Sequence, residues 1–116
     1  MLSLSLPGRV FLCTLPTDMR KSFDTLSLVV REHLRSDPLS GSWFVFCGKR
    51  GDRLKILYWD GDGYALWSKR LERGTFEIPK VTAATVGIEI RAADLALILG
   101  GIELSAKRRK RYARPT

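Results

Sequence analysis

A chain of 116 residues with 45% hydrophobic and 28% charged residues is sized for one globular domain with a modest core. Its formal net charge is +8, and Lys107, Arg108, Arg109, Lys110, Arg111 and Arg114 supply six of those charges after the last acid, leaving +2 for the residues before them. Two cysteines, one histidine and no long apolar run exclude a disulfide framework, a zinc shell and a membrane-spanning helix, and Pro7-Gly8-Arg9 interrupts any signal-peptide core, so the expected location is the cytoplasm.

Residues 1–8 are apolar but broken by serines and by Pro7-Gly8, a loosely ordered lead-in. Arg9–Cys13 reads as a first strand. Thr17 is a candidate cap and Asp18 suits the positive end of a helix dipole. Met19, Phe23, Leu26, Val30 and Leu34 recur at three- and four-residue steps, so a long amphipathic helix is expected over Asp18–Arg35, stopped by Ser36-Asp37-Pro38. Trp43–Cys47 is apolar on both faces, as a central strand would be.

Gly48–Asp52 makes a basic hairpin loop, and Arg53–Trp59 follows as a strand. Alternation sends Leu54, Ile56 and Tyr58 to one face and Arg53, Lys55, Leu57 and Trp59 to the other. Asp60-Gly61-Asp62-Gly63 is turn chemistry, and Tyr64–Trp67 returns as a strand. Ser68–Gly74 fits a short helix or a strand continuation equally well. Thr75–Pro79 is extended, residues 80–90 alternate weakly as an edge strand, and Ala92–Leu99 reads as a short C-terminal helix stopped by Gly100-Gly101.

The fold expected is α+β: a small, mainly antiparallel sheet with the long helix on one face and the short helix following. One domain spans 1–104, and 105–116 is a basic tail expected to be disordered when unbound. In this arrangement Met19, Phe23, Leu26 and Val30 would face Phe44, Phe46, Leu54 and Ile56.

Enzyme chemistry has little to stand on. Asp60 and Asp62 could share a cation, but Asp-Gly-Asp-Gly is ordinary turn sequence and no third carboxylate ligand is identifiable. His33 has no evident catalytic partner, Ser22 and Ser27 lack an activating context, and Gly48–Gly51 lacks phosphate-loop spacing. No metal and no cofactor are expected. Binding chemistry is denser. Lys49, Arg50, Arg53, Lys55, Lys69, Arg70 and Arg73 alternate with Tyr58, Trp59, Tyr64 and Trp67, a mixture that suits a sugar-phosphate backbone with bases stacked beside it.

The order of these motifs resembles the TnpB accessory proteins, encoded by the second open reading frame of bacterial insertion sequences of the "sixty-six" family. The residues that carry the resemblance are Pro16–Asp24, Asp37–Gly41, Phe44–Phe46, Asp52–Gly63, Leu66-Trp67, Lys69–Gly74 and Phe76. Agreement is dense over about residues 9–78 and looser at Leu95–Gly101. Ser68 departs from the large residue usual there, and Cys47-Gly48 from a more basic pair. The resemblance implies a small protein made beside a separate transposase and needed for efficient transposition, and it brings no catalytic site.

Three functions follow as expectations. The first is a non-catalytic DNA-binding accessory factor, with Arg20, Lys21, Lys49, Arg50, Arg53, Lys55, Lys69, Arg70 and Arg73 on phosphates, Trp59 and Trp67 packed nearby, and Lys107, Arg108, Arg109, Lys110 and Arg111 adding non-specific affinity. The second is a protein adaptor that binds the transposase. The third, a metal-dependent nuclease at Asp60 and Asp62, lacks its remaining ligands. No membrane partner is expected, and the sequence leaves the oligomeric state open.

Overall fold

Five of the apolar runs become strands and two amphipathic stretches become helices in the computed structural model, which describes residues 8–79 and 86–100. In chain order these are β1 (Val10–Cys13), α1 (Phe23–Glu32), β2 (Trp43–Cys47), β3 (Arg53–Trp59), β4 (Tyr64–Arg70), β5 (Gly87–Ile90) and a second helix, α2, over residues 92–100. The strands form one sheet in the order β4-β3-β2-β1-β5, which makes the doubly apolar β2 its middle strand. The sheet is mixed. β1 and β2 run parallel, joined by the α1 crossover, and the other three pairings are antiparallel.

Both faces of the sheet are buried. On one, Cys13, Phe44, Phe46 and Leu57 pack with Leu26 and Val30 of α1. On the other, Val10, Leu12, Trp43, Val45, Leu54, Ile56 and Tyr58 pack with Leu71, Phe76, Leu95 and Ile98. Each fully buried side chain of this size contributes about 1.5–3 kcal/mol from removal of apolar surface from water. The second layer explains why β2 has no polar face, and it corrects the expected packing. Leu54 and Ile56 lie across the sheet from α1, and Leu57, in register with Phe44, takes the place given to them.

The first helix is shorter than its periodicity suggests. Thr17 is not its cap: its N–H donates to the Cys47 carbonyl at 2.9 Å, and Thr17 bridges Gly48 as a parallel extension of the β1–β2 pair. Residues 18–21 make a turn in which Asp18 accepts from the Arg20 backbone N–H and guanidinium. The helix begins after Ser22, whose N–H donates to Thr25 Oγ1 at 2.9 Å. Phe23 sits in the first turn and is 43% exposed, not a core residue. At the other end Arg35 takes φ 53°, and the Ser36 N–H returns to the Val30 carbonyl.

The Ser68–Gly74 segment divides. Strand continues through Arg70, Leu71 donates its N–H to the Asp52 carbonyl, and Gly74 at φ 76° turns the chain. The Phe76 N–H then donates to the Gly51 carbonyl, which seats Phe76 in the core. Within 80–90 the strand occupies Gly87–Ile90 beside β1; residues 80–85, the lead-in 1–7 and the tail from 101 onward lie outside the described residues. No helix among the described residues is long and apolar enough to cross a membrane.

Candidate nucleic-acid interface

The β2–β3 loop, the start of β3 and the end of β4 meet at one end of the sheet because Arg53 is in register with Arg70. Alternation places Arg53, Lys55, Ser68 and Arg70 on the α1 face there. The turn before α1 brings Met19 against them. The result is an open cleft of about 480 Å³ lined by Met19, Arg53, Lys55, Ser68 and Arg70. Met19 and Arg53 also line a second cleft of about 360 Å³, with Thr17, Asp18, Gly48, Lys49, Arg50 and Asp52. The two form one continuous cationic groove.

Its geometry depends on close packing at the rim. A Cβ on Gly48 would stand 2.8 Å from Met19 Cγ, so glycine leaves room for Met19, which lines both clefts. Gly48 donates its N–H to the Arg53 carbonyl at 3.0 Å, and Gly51, at φ 80°, donates to the Gly48 carbonyl and completes the loop. Lys55 is half-buried, and its Nζ donates to the Lys21 carbonyl at 2.7 Å, tying the floor of the groove to the entry of α1.

The charge balance in the groove is strongly positive. Lys49, Arg50, Arg53 and Lys55 have no carboxylate partner among the described residues, and Arg70 reaches Glu72 only at 3.9 Å between exposed side chains. Asp18 is engaged: the Arg20 guanidinium at 2.7 Å holds its carboxyl well below the usual carboxylate range. Asp52 is the remaining acid on the lining. Burial, and then the Asp52 charge, push the Cys47 thiol up, so this cysteine stays protonated near neutral pH. Cys13 and Cys47 are both free thiols.

The structure separates the residues that the sequence grouped. Lys49, Arg50, Arg53, Lys55 and Arg70 converge on the groove, with Lys21 supplying a carbonyl and Arg20 paired beside it. Lys69 points to the opposite face, while exposed Arg73 lies in the loop after β4. Trp67 also lies on the opposite face, in register with Ile56 and packed against the core there. Trp59 shares the α1 face, but six strand residues put it roughly 20 Å from Arg53. There it meets Tyr64 edge to face at 5.2 Å. Neither tryptophan adjoins the groove. Lys107–Arg111 lie outside the described residues. No local signal marks Met19 or Thr17 as lining, because their positions depend on the non-local Thr17–Gly48 bridge. Asp60 and Asp62 stand exposed at the far turn, and no three potential metal ligands converge among the described residues.

No solved structure matches this chain. Two relatives from Sinorhizobium fredii (strain NBRC 101917 / NGR234) align along most of its length. "Uncharacterized protein y4hO" is 42% identical over 95 residues, covering 82% of this chain and 81% of the relative. "Uncharacterized protein y4jC" is 36% identical over 108 residues, covering 93% and 91%. The family described as "IS66 Orf2 like protein" matches residues 8–109, which takes in all the strands and helices of the described residues and the groove they form. The chain therefore belongs to the IS66 Orf2-like family, the TnpB accessory proteins of insertion sequences.

Proposed function

We propose that the protein is a non-catalytic accessory factor of transposition that holds DNA by its phosphates along the groove between the α1 entry and the β3–β4 end. The observation that carries this reading is the convergence of five cations, Lys49, Arg50, Arg53, Lys55 and Arg70, from one loop and two strands, against two lining acids, of which Asp18 is already paired to Arg20 and Asp52 remains. Arginine forks suit phosphate oxygens, and Ser68 adds a neutral hydroxyl to the lining. Among the described residues no aromatic lines the groove, so it suits duplex backbone better than splayed single strands. Five phosphate neutralisations on B-DNA correspond to a slope of about −4.5 in log K against log salt.

Fluorescence anisotropy of labelled duplexes, element end against scrambled, over a salt series tests this. The double variant Arg53→Gln/Arg70→Gln is expected to flatten the slope by about 2. Deleting residues 107–116 flattens it further by removing a separate set of cations. A groove variant that binds like the wild type eliminates the groove as the DNA site.

A transposase adaptor is the second reading. It is favoured by Phe23 and Leu28, large apolar side chains 43% and 50% exposed on α1. Co-purification with the transposase that survives nuclease treatment supports the adaptor; loss of the complex on nuclease treatment removes it.

A further inference from the structure

β4 is a sheet edge whose pattern matches itself. Among the described residues its only neighbour is β3. The Leu71 N–H donates to the Asp52 carbonyl and the Asp60 N–H to the Gly63 carbonyl, which fixes the phase of the β3–β4 ladder. Antiparallel alternation then directs the backbone groups of Tyr64, Leu66, Ser68 and Arg70 outward, away from β3. Exposed edges are normally kept short or guarded by charge. β5, the opposite edge, has four residues and carries the Arg9–Glu89 ion pair, with Nη2 to Oε1 at 2.8 Å. β4 has seven, and its first four, Tyr64-Ala65-Leu66-Trp67, are half-buried and uncharged.

The charges at its two ends are opposite in sign. The turn before β4 carries Asp60 and Asp62, and its last residues and the loop after it carry Lys69, Arg70 and Arg73 against Glu72. We infer that β4 is the docking edge for a second copy of this chain, paired antiparallel about Trp67. In that register Tyr64 meets Arg70 and Leu66 meets Ser68 of the other copy, so all four outward-facing residues are hydrogen-bonded. Registers centred on Leu66 or Ser68 leave at least one of them outside the strand pairing. The acidic turn of each copy lies at the basic end of the other, twice per dimer. Glu72, past the end of the strand, falls opposite Asp62 in this register, and Lys69, Arg70 and Arg73 around it keep that end basic. The sheet becomes continuous, with five strands from each copy.

Sedimentation velocity of the full chain, freed of nucleic acid by nuclease and a high-salt wash, tests this across a concentration series. The expected species has twice the 13.1 kDa chain mass. Ser68→Pro removes an outward N–H that has no partner among the described residues, so it should leave a folded monomer. Should that variant lose its circular dichroism melt, Asp60→Lys/Asp62→Lys at the exposed turn makes the same test through charge and should also yield monomer. The register is read by Ala65→Cys/Lys69→Cys in a Cys47→Ser background. These positions lie opposite one another across the Trp67 axis, and a disulfide there joins two chains. A wild-type monomer at every concentration, a dimer indifferent to the folded edge or turn variants, or a dimer without the 65–69 crosslink overturns the proposal.

Discussion

Lys55→Met separates the two tasks given to one ammonium. Lys55 lies in register with Phe46 on one side and Ser68 on the other, on the face that α1 covers. Methionine keeps the apolar stem and removes the donors, so the Lys21 carbonyl loses its 2.7 Å partner. A hydrogen bond from a charged group is worth about 1.5–3 kcal/mol, and water takes up part of the loss at this half-exposed position. The expected net cost is therefore about 1 kcal/mol. In a domain of this size that lowers the melting temperature by about 4–8 °C. The same variant removes one of five groove cations, so the salt slope for duplex DNA should flatten by about 0.9. Thermal melts by circular dichroism and anisotropy titrations on the same preparation measure both. An unchanged melting temperature refutes the reasoning, because it means the ammonium does not clamp the entry of α1. A lowered melting temperature with an unchanged slope makes Lys55 a structural residue and reduces the groove to four cations.

Other outcomes follow from the two-layered core and the helix ends. Leu57→Ala empties a site between Phe44 and α1 and should cost about 2–5 kcal/mol in urea unfolding, whereas Leu28→Ala, half in water, should cost less than about 0.5. Equal effects would contradict the assignment of faces. Arg35→Gly relieves a left-handed backbone worth about 1–2 kcal/mol of strain but adds about 0.4–1 of unfolded-state entropy, so a gain on the order of 0.5 kcal/mol is expected. Asp18, Glu89 and Asp94 are depressed by hydrogen bonds from Arg20, Arg9 and Arg91. A lowered folded-state value adds stability that is present above the ordinary carboxylate range near pH 4 and is lost as pH falls through the lowered values. The urea midpoint should thus be insensitive to these pairs from about pH 5 to 8 and decline below about pH 4.

The strands were readable because their signals are local. Trp43–Cys47 is apolar throughout, Arg53–Trp59 alternates, and Asp60–Gly63 has the glycines its turn needs, Gly61 adopting φ 88°. The start of α1 was not readable. Thr17-Asp18 has the composition of a helix cap, and what overrides it is a hydrogen bond to Cys47, thirty residues away. The choice between faces failed for a similar reason. β3 offers apolar residues to both sides, and the sequence does not say which face α1 will cover when α2 and Phe76 cover the other. Trp67 looked like a ligand-facing aromatic for want of that second layer. The cations of the groove were all visible as cations, but their convergence depends on the register of β3 with β4.

One consequence of the strand order concerns synthesis of the chain. β1 is made first, yet its second neighbour is β5, made near the end, with Val10 opposite Ile90 and Cys13 opposite Gly87. The layer over Val10, Leu12 and Val45 closes with Leu95 and Ile98, later still. A ribosome therefore carries the chain through α2 before the sheet can seal, and a product cut short before residue 87 leaves β1 with an open edge and an apolar face that lacks Leu95 and Ile98. Such fragments are substrates for cellular proteases and not stable half-proteins. A premature stop or frameshift that removes β5 and α2 is then equivalent to losing the protein altogether.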